Sequence, residues 1–149
     1  MMRRLGLAFA WAACVLSFGA FERIVTGQQP PDQGAGNSGG WTIPENARQE
    51  KSPLSAAPAI LKKGKGVFES KCQRCHGPQG KGDGPDGDPE HKPADLTDAS
   101  RASRNTDGVM FYKVWNGRKD PKMPAFKSDL SRDDVWAVVE YAKSLRKGQ

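Results

Sequence analysis

Apolar residues recur at intervals of three and four along three stretches of the 149-residue chain, and this spacing predicts three helices. The first prediction covers residues 60–74. The second helix is capped by Asn105 or Thr106, continues through Trp115 and is closed by Gly117. Both stretches keep their apolar residues on one face, which predicts packing of that face against a shared core.

The third predicted helix has the clearest start. Ser131 is followed three residues later by Asp134 in a capping-box pattern, and apolar positions then continue to Leu145. No stretch of the chain alternates apolar and polar residues as a strand does. The pattern therefore predicts an all-α domain over residues 54–149, with three main helices joined by long loops. A domain of this size has a marginal core, which favours a large apolar cofactor in its interior.

The N-terminal third has a different composition. Two arginines in residues 1–4 precede an uncharged, largely apolar run over residues 5–21, and we read residues 1–27 as a signal peptide or an N-terminal membrane anchor. Either reading predicts export to the periplasm, with a possible tether through residues 5–21 or, as a lesser alternative, a lipid on Cys14. Residues 28–53 are rich in Gly, Pro and Gln, and this composition predicts a flexible, disordered linker.

The chain contains three cysteines and two histidines, and residues 72–76 hold two of the cysteines and one histidine as Cys-Gln-Arg-Cys-His. A redox dithiol lacks its usual βαβ surroundings here. A zinc site would need a fourth ligand, and only His91 remains in the domain. The third alternative is covalent haem attachment, in which Cys72 and Cys75 bind the porphyrin and His76 ligates the iron. The motif favours this alternative, with one haem c per chain.

Residues 77–96 contain five glycines and four prolines, and they are predicted to form a loop. In a domain this small, a loop of this length usually has a function or encloses another part of the molecule or a ligand. We expect this one to wrap around a haem edge.

Several features of residues 54–149, which follow one another along the chain, resemble the class I c-type cytochromes. These are mono-haem electron carriers, and the resemblance is to their bacterial exported type. Gly64 and Phe68 resemble the pair at which the first and last helices of that family cross, with Tyr141 and Val138 as counterparts on the last helix. The Cys-x-x-Cys-His motif follows. Residues 93–96 resemble the proline-containing loop whose carbonyl orients the proximal histidine, and residues 116–117 with 122–126 resemble the stretch that carries the distal methionine. The spacer from residue 76 to residue 93 is longer and more acidic than in compact members of the family.

The resemblance implies a small cytochrome c fold around one covalent haem, with His76 and Met123 as axial ligands. Met123 lies between polar residues, whereas Met110 lies on an apolar helix stripe and is expected to pack in the core. His91 is a lesser alternative for the second axial position. The residues that the resemblance places around the haem are Pro93, Leu96, Trp115 and Phe126.

Two axial protein ligands leave no open site for a substrate, so the expected function is one-electron transfer and the chain is not expected to be an enzyme. The alternatives are a fixed cytochrome c subunit of a larger membrane oxidase or dehydrogenase complex and, less favoured, a haem peroxidase or sensor.

The net charge of the chain is +6, and residues 54–149 hold 18 Lys and Arg against 13 Asp and Glu. A basic collar is expected around the haem edge, where it would dock a redox partner through acidic patches. Nucleic acid is not an expected partner, and the domain is expected to be monomeric. The proposed docking residues are Lys81, Arg118, Lys119, Lys122 and Lys127.

Overall fold

The computed structural model describes residues 40–147, and within that range it contains five α-helices, two short 3₁₀ helices and no β-strand. The α-helices are α1 (Glu45–Gln49), α2 (Pro58–Lys71), α3 (Gln73–His76), α4 (Asp107–Asn116) and α5 (Arg132–Ser144), and the 3₁₀ helices are Ala99–Arg101 and Leu145–Lys147. The all-α prediction is confirmed, and α2, α4 and α5 are the three main helices.

The start of α5 is set by the predicted capping box. The Ser131 hydroxyl accepts a hydrogen bond from the Asp134 amide at 3.1 Å, and the Asp134 carboxylate accepts one from the Ser131 amide at 3.1 Å. These two bonds satisfy amides that the first turn of a helix leaves without partners. From there α5 buries every residue from Val135 to Glu140, so it is the central helix of the described domain.

Helices α2 and α5 cross at close range. A Cβ atom placed on Gly64 would overlap the backbone carbonyl of Ala137 and lie 2.8 Å from the Cβ of Tyr141. One turn later, the ring of Phe68 lies 5.4 Å from the ring of Tyr141. The predicted pairing with Tyr141 is therefore observed, while the backbone that meets Gly64 belongs to Ala137 and not to Val138. Only glycine allows this approach, since any side chain would separate the helices.

The main core joins α4 to α5. Phe111 stacks on Trp136 at 4.2 Å and on Trp115 at 5.6 Å between ring centroids. Phe111 and Trp136 belong to the main core cluster, and five apolar side chains are partly buried against it: Leu54, Leu96, Val114, Trp115 and Leu130. The buried members of the cluster are Met110, Phe111, Val135, Trp136, Val139 and Ala142.

The segment before α2 differs from its prediction. The composition of residues 28–53 predicts a flexible linker, yet residues 40–53 include α1 and lie against the outer face of α4. The side chains of Ile43 and Ala47 are only 6% and 7% exposed, and both pack on Val109. Burial of these two side chains and of part of Trp41 offsets the conformational entropy lost when the segment is ordered.

The remaining N-terminal predictions lie outside the described residues. These are the signal peptide or anchor at 1–27, the tether over 5–21, the lipid on Cys14 and the linker up to residue 39. Between residues 40 and 147, none of the helices has the length and apolar character needed to cross a membrane.

Candidate haem site

The five residues of the Cys-x-x-Cys-His motif form a single helical turn. Cys72 ends α2, and its carbonyl accepts hydrogen bonds from the amides of Cys75 at 3.2 Å and His76 at 2.9 Å. Both thiols are free and partly exposed. One short element therefore presents two thiols and an imidazole.

The ring of His76 is oriented by the proline-containing loop. Its Nδ1 atom lies 3.1 Å from the carbonyl oxygen of Ala94. A carbonyl can only accept, so Nδ1 carries the proton and the lone pair of Nε2 is left for a metal. Burial lowers the pKa of His76, and the bond to Ala94 partly offsets this effect. The imidazole is thus held neutral and in one tautomer at neutral pH.

The loop over residues 77–96 folds back on the motif. The amides of Gly82, Gly84 and Asp86 donate hydrogen bonds to the carbonyls of His76, Cys75 and Arg74, at 2.8, 3.1 and 2.8 Å respectively. These carbonyls have no partners within the helical turn itself. The length of the loop predicts that it wraps around a haem edge, and the structure shows that its N-terminal half is hydrogen-bonded to the backbone of the motif.

Position 82 requires a glycine in this arrangement. Its φ angle is +77°, in the left-handed region, and a Cβ there would overlap the carbonyl of Pro93. The close contact brings residues 93 and 94 to the motif, where the Ala94 carbonyl reaches His76.

The thiol chemistry separates the alternatives for the motif. Burial raises the pKa of the Cys72 thiol to about 12, and the charge of Cys75 adds to the effect. A reactive redox dithiol depends on a lowered thiol pKa, so the direction is opposite to the one it needs. Within residues 40–147, no group of three or more His, Cys, Asp or Glu side chains is arranged to hold a metal ion. His91 lies on the exposed loop, with Nδ1 3.3 Å from a carboxylate oxygen of Asp88.

Met123 is presented by a short hairpin that follows α4. The backbones of Met123 and Arg118 form two hydrogen bonds, at 2.8 and 2.9 Å, and close the turn between them. Met123 is partly exposed beside an open cavity of about 350 Å³. Met110 is instead 8% exposed and belongs to the main core, in agreement with the core assignment.

The four predicted pocket residues occupy different environments. Leu96 and Trp115 are partly buried at the edge of the same core cluster. Phe126 is 8% exposed, and its amide donates to the carbonyl of Val114 at 3.1 Å, which anchors the chain just after Met123. Pro93 contributes its backbone carbonyl next to Gly82.

The predicted docking residues also differ among themselves. Lys81, Lys119, Lys122 and Lys127 are exposed, and Lys119 and Lys122 line the cavity beside Met123. Arg118 is half-buried and bonded within its hairpin, so its guanidinium is part of the structure. Two further basic residues near the motif form ion pairs, Lys71 with Asp129 at 3.7 Å and Arg74 with Asp86 at 2.7 Å.

The residues present fit a covalently bound haem. Two free thiols and an imidazole with an available nitrogen share one turn, and a thioether follows on a polar hairpin. Thiol, imidazole and thioether are the donor set of a c-type haem site. Together with the all-α fold, this site defines a c-type cytochrome.

The comparisons with known proteins agree with this class. The model of the family described as cytochrome c oxidase, cbb3-type, subunit III matches residues 59–141, which is more than half of the chain. The chain belongs to this family of c-type cytochrome domains, and it carries covalently bound haem c. Haem-based electron transfer is therefore its general function.

Among solved structures, the chain is similar to a chain of the reducing HAO-like protein complex of Kuenenia stuttgartiensis. The two share 32% sequence identity with a TM-score of 0.55, over 62% of this chain and 46% of that chain. The similarity thus spans less than half the length of that protein. No curated protein matches the sequence.

Proposed function

We propose that this domain is a one-electron carrier in which Cys72 and Cys75 hold the haem covalently and His76 and Met123 are its axial ligands. The observation that carries the proposal is the 3.1 Å contact between His76 Nδ1 and the Ala94 carbonyl, which leaves Nε2 available on the same turn as both thiols. A histidine with a purely structural role has no need of such an orientation next to two free cysteines.

The residues of the chain have distinct tasks in this proposal. When bound, the haem iron alternates between the ferric and ferrous states, which supplies the one-electron chemistry. The Ala94 carbonyl fixes the plane of the His76 ring. The hairpin closed by Arg118 presents the sulfur of Met123, a soft donor that favours ferrous iron. With His76 and Met123 both bound to the iron, the protein would leave no free position there for small molecules or substrates.

Replacement of Met123 tests this assignment. In Met123→Ala, carbon monoxide should bind the ferrous protein readily and the reduction potential should fall, because the sixth position is open. The matched control is Met110→Ala, which should lower the free energy of unfolding by about 2–5 kcal/mol and leave ligation unchanged, since Met110 is a core residue. If Met123→Ala stays closed to carbon monoxide and keeps its potential, Met123 is not the ligand. If the wild type binds carbon monoxide freely, a peroxidase or sensor becomes the better reading.

A second candidate is a fixed electron-transfer subunit of a larger oxidoreductase complex. The comparisons favour it, because the matching family is described as an oxidase subunit and the similar structure belongs to a complex. Purification from detergent-solubilised membranes and from the soluble fraction separates the two candidates. A carrier, with or without its N-terminal tether, purifies as a single chain, whereas a subunit co-purifies in fixed stoichiometry with other chains.

The redox partner is proposed to dock through acidic patches on its surface. The four exposed lysines of the collar, at positions 81, 119, 122 and 127, have no carboxylate at ion-pair distance within the described range. Their charge is therefore available to steer a small and transient encounter. Nucleic acid is not part of the proposal.

Export to the periplasm is proposed from the sequence of residues 1–27, with the N-terminal segment either removed or kept as a tether. Mass spectrometry of the mature protein tests this directly. Its mass reports the cleavage position, the number of haems and any lipid on Cys14.

A further inference from the structure

The segment before α2 reaches the hairpin that presents Met123. The guanidinium carbon of Arg118 lies 4.9 Å from the centre of the Trp41 ring, within the range of a cation–π contact. The neighbouring Gly40 lies against the same group, since a Cβ built on it would be 3.5 Å from Arg118 Nη1. One end of the N-terminal segment therefore forms a platform under Arg118.

Arg118 in turn fixes the shape of the hairpin. Its Nε atom donates a hydrogen bond to the Pro121 carbonyl at 2.8 Å, across the turn. Its backbone forms the two hydrogen bonds that close the hairpin at Met123. The side chain thus joins the platform to the turn, and the backbone of the same residue joins the turn to Met123.

The platform is itself anchored on α4. Ile43 and Ala47 are buried against Val109, and the Thr106 hydroxyl donates to the Arg48 carbonyl at 3.2 Å. The family match begins at residue 59, so the N-terminal residues that make these contacts lie outside the matched part of the chain, whereas their partners on α4 and in the hairpin lie inside it. The segment thus connects the back of α4 with the loop after it.

We propose that Trp41 is a positioning residue for Met123: it holds the Arg118 side chain, which braces the hairpin and keeps the thioether on the iron. The inference rests on the proposed function, because it takes Met123 as the axial ligand. Trp41 touches neither the haem nor the motif in this role. It acts by slowing the opening of the hairpin, and hence the exchange of Met123 for an external ligand.

The test uses the ferric holoprotein and imidazole as an external ligand that displaces a methionine. With imidazole in excess, the binding rate is limited by release of Met123. Trp41→Ala should raise this rate roughly tenfold, the equivalent of one cation–π contact at a partly desolvated site. Trp41→Phe keeps an aromatic face under Arg118 and should stay within about twofold of the wild type.

The matched control is Ile43→Ala, which removes a buried side chain from the same segment without touching Arg118. It should lower the melting temperature at least as much as Trp41→Ala does, because it leaves a cavity under α4. The rate of imidazole binding should stay within about twofold of the wild-type rate, because the contact between Trp41 and Arg118 is kept. If the two variants raise the rate equally, Trp41 acts through general stability and the proposal is overturned. An unchanged rate in Trp41→Ala overturns it as well.

Arg118→Lys decides the matter if Trp41→Ala yields no holoprotein. Lysine keeps the charge but lacks both the Nε donor and the planar group, so the rate should again rise roughly tenfold. Met123→Ala separates this inference from the function on which it rests. If imidazole binds that variant no faster than the wild type, the axial assignment is wrong. If it binds far faster while Trp41→Ala and Arg118→Lys do not differ from the wild type, only the inference fails.

Discussion

The backbone carbonyl of Ala137 on α5 lies directly against Gly64 on α2, and a Cβ atom at position 64 would overlap it. The contact is made of backbone on one side and a bare Cα on the other. Neither side can move away by changing a rotamer. The crossing of the two helices, and with it the position of the motif at the end of α2, therefore depends on the absence of a side chain at one position.

Gly64→Ala should lower the free energy of unfolding by roughly 1–3 kcal/mol, the usual effect of overpacking. The matched control is Gly66→Ala in the same helix, where a Cβ meets no atom within 4 Å. That change should raise the free energy of unfolding by about 0.5–1 kcal/mol, because alanine is the better helix former. Denaturant unfolding of the holoprotein measures both. Effects of the same sign at the two positions would contradict the close crossing.

The carboxylate of Asp134, which is bonded to Lys63 and belongs to the capping box of α5, predicts a pH dependence of stability. Hydrogen bonds from Lys63 and then from Ser131 lower the pKa of Asp134 from 3.8 to about 2. Because the folded-state pKa is the lower one, this stabilisation is complete above the unfolded value and is lost as the pH falls towards 2. Asp134→Asn should therefore melt below the wild type at neutral pH, and the gap should close between pH 4 and 2.

The control for this experiment is Asp133→Asn. Asp133 is an exposed carboxylate in the same first turn, so it shares the helix dipole but not the capping box. Its melting-temperature difference from the wild type should be the smaller of the two at neutral pH. A gap for Asp134→Asn that stays constant down to pH 2 would show that the carboxylate contributes no charge-dependent bond.

Each motif cysteine should be needed for full attachment. Cys72→Ala or Cys75→Ala leaves a single thiol for thioether formation, and the yield of holoprotein should fall sharply because the haem supplies much of the interior of a small domain. Cys14→Ala is the control, since it removes the third cysteine of the chain without touching the motif. Denaturing mass spectrometry reads haem retention. A fully attached haem in both motif variants would rule out the assignment.

The basic collar predicts salt-sensitive electron transfer. Lys122 lines the cavity beside Met123 and is exposed, so Lys122→Glu should slow the association of the partner. The rate should fall for the wild type as salt shortens the screening length to about 8 Å and below. Lys62→Glu, an exposed position on α2, makes the same charge change away from the cavity and should have the smaller effect. Stopped-flow kinetics with the redox partner would refute the collar if neither salt nor Lys122→Glu changed the rate.

Much of the fold follows from local patterns that the sequence displays. The capping box at Ser131 and Asp134 and the apolar spacing after it predict α5 from its first residue, because both signals act within a few residues. The pairing of Phe68 with Tyr141 came from the resemblance to a known family, since a contact over such a separation leaves no local pattern.

The ordered structure of residues 40–53 could not be predicted, because it depends on contacts with a distant part of the chain and not on a local pattern. Trp41, Ile43 and Ala47 are scattered through a polar stretch, and none of them implies a helix by its spacing. What orders them is the outer face of α4, which the pattern of residues 107–116 does not reveal, because its clearest stripe points to the main core. The one available signal was a tryptophan within an otherwise polar segment.

Arg118 shows that the charge of a residue does not reveal the contacts of its side chain. As a basic residue next to other basic residues it was assigned to the docking surface, yet its Nε atom is bonded to the Pro121 carbonyl and its plane lies over Trp41. Sequence reports the charge of a guanidinium but not which of its neighbours it contacts. Ala94 is a similar case, because its contribution to the site is a backbone carbonyl and any residue type would supply it.

The loop and the motif are antiparallel where they are hydrogen-bonded. The amides of residues 82, 84 and 86 donate in turn to the carbonyls of residues 76, 75 and 74. Such a ladder has a fixed register. One residue inserted between positions 82 and 86 would leave at least one carbonyl of the motif without its amide and carry the following residues out of step. Residues 88–92 are all exposed and lie beyond the last rung. Length can therefore change at that tip while the motif keeps its partners, which makes it the part of the domain most open to variation and to an engineered insertion.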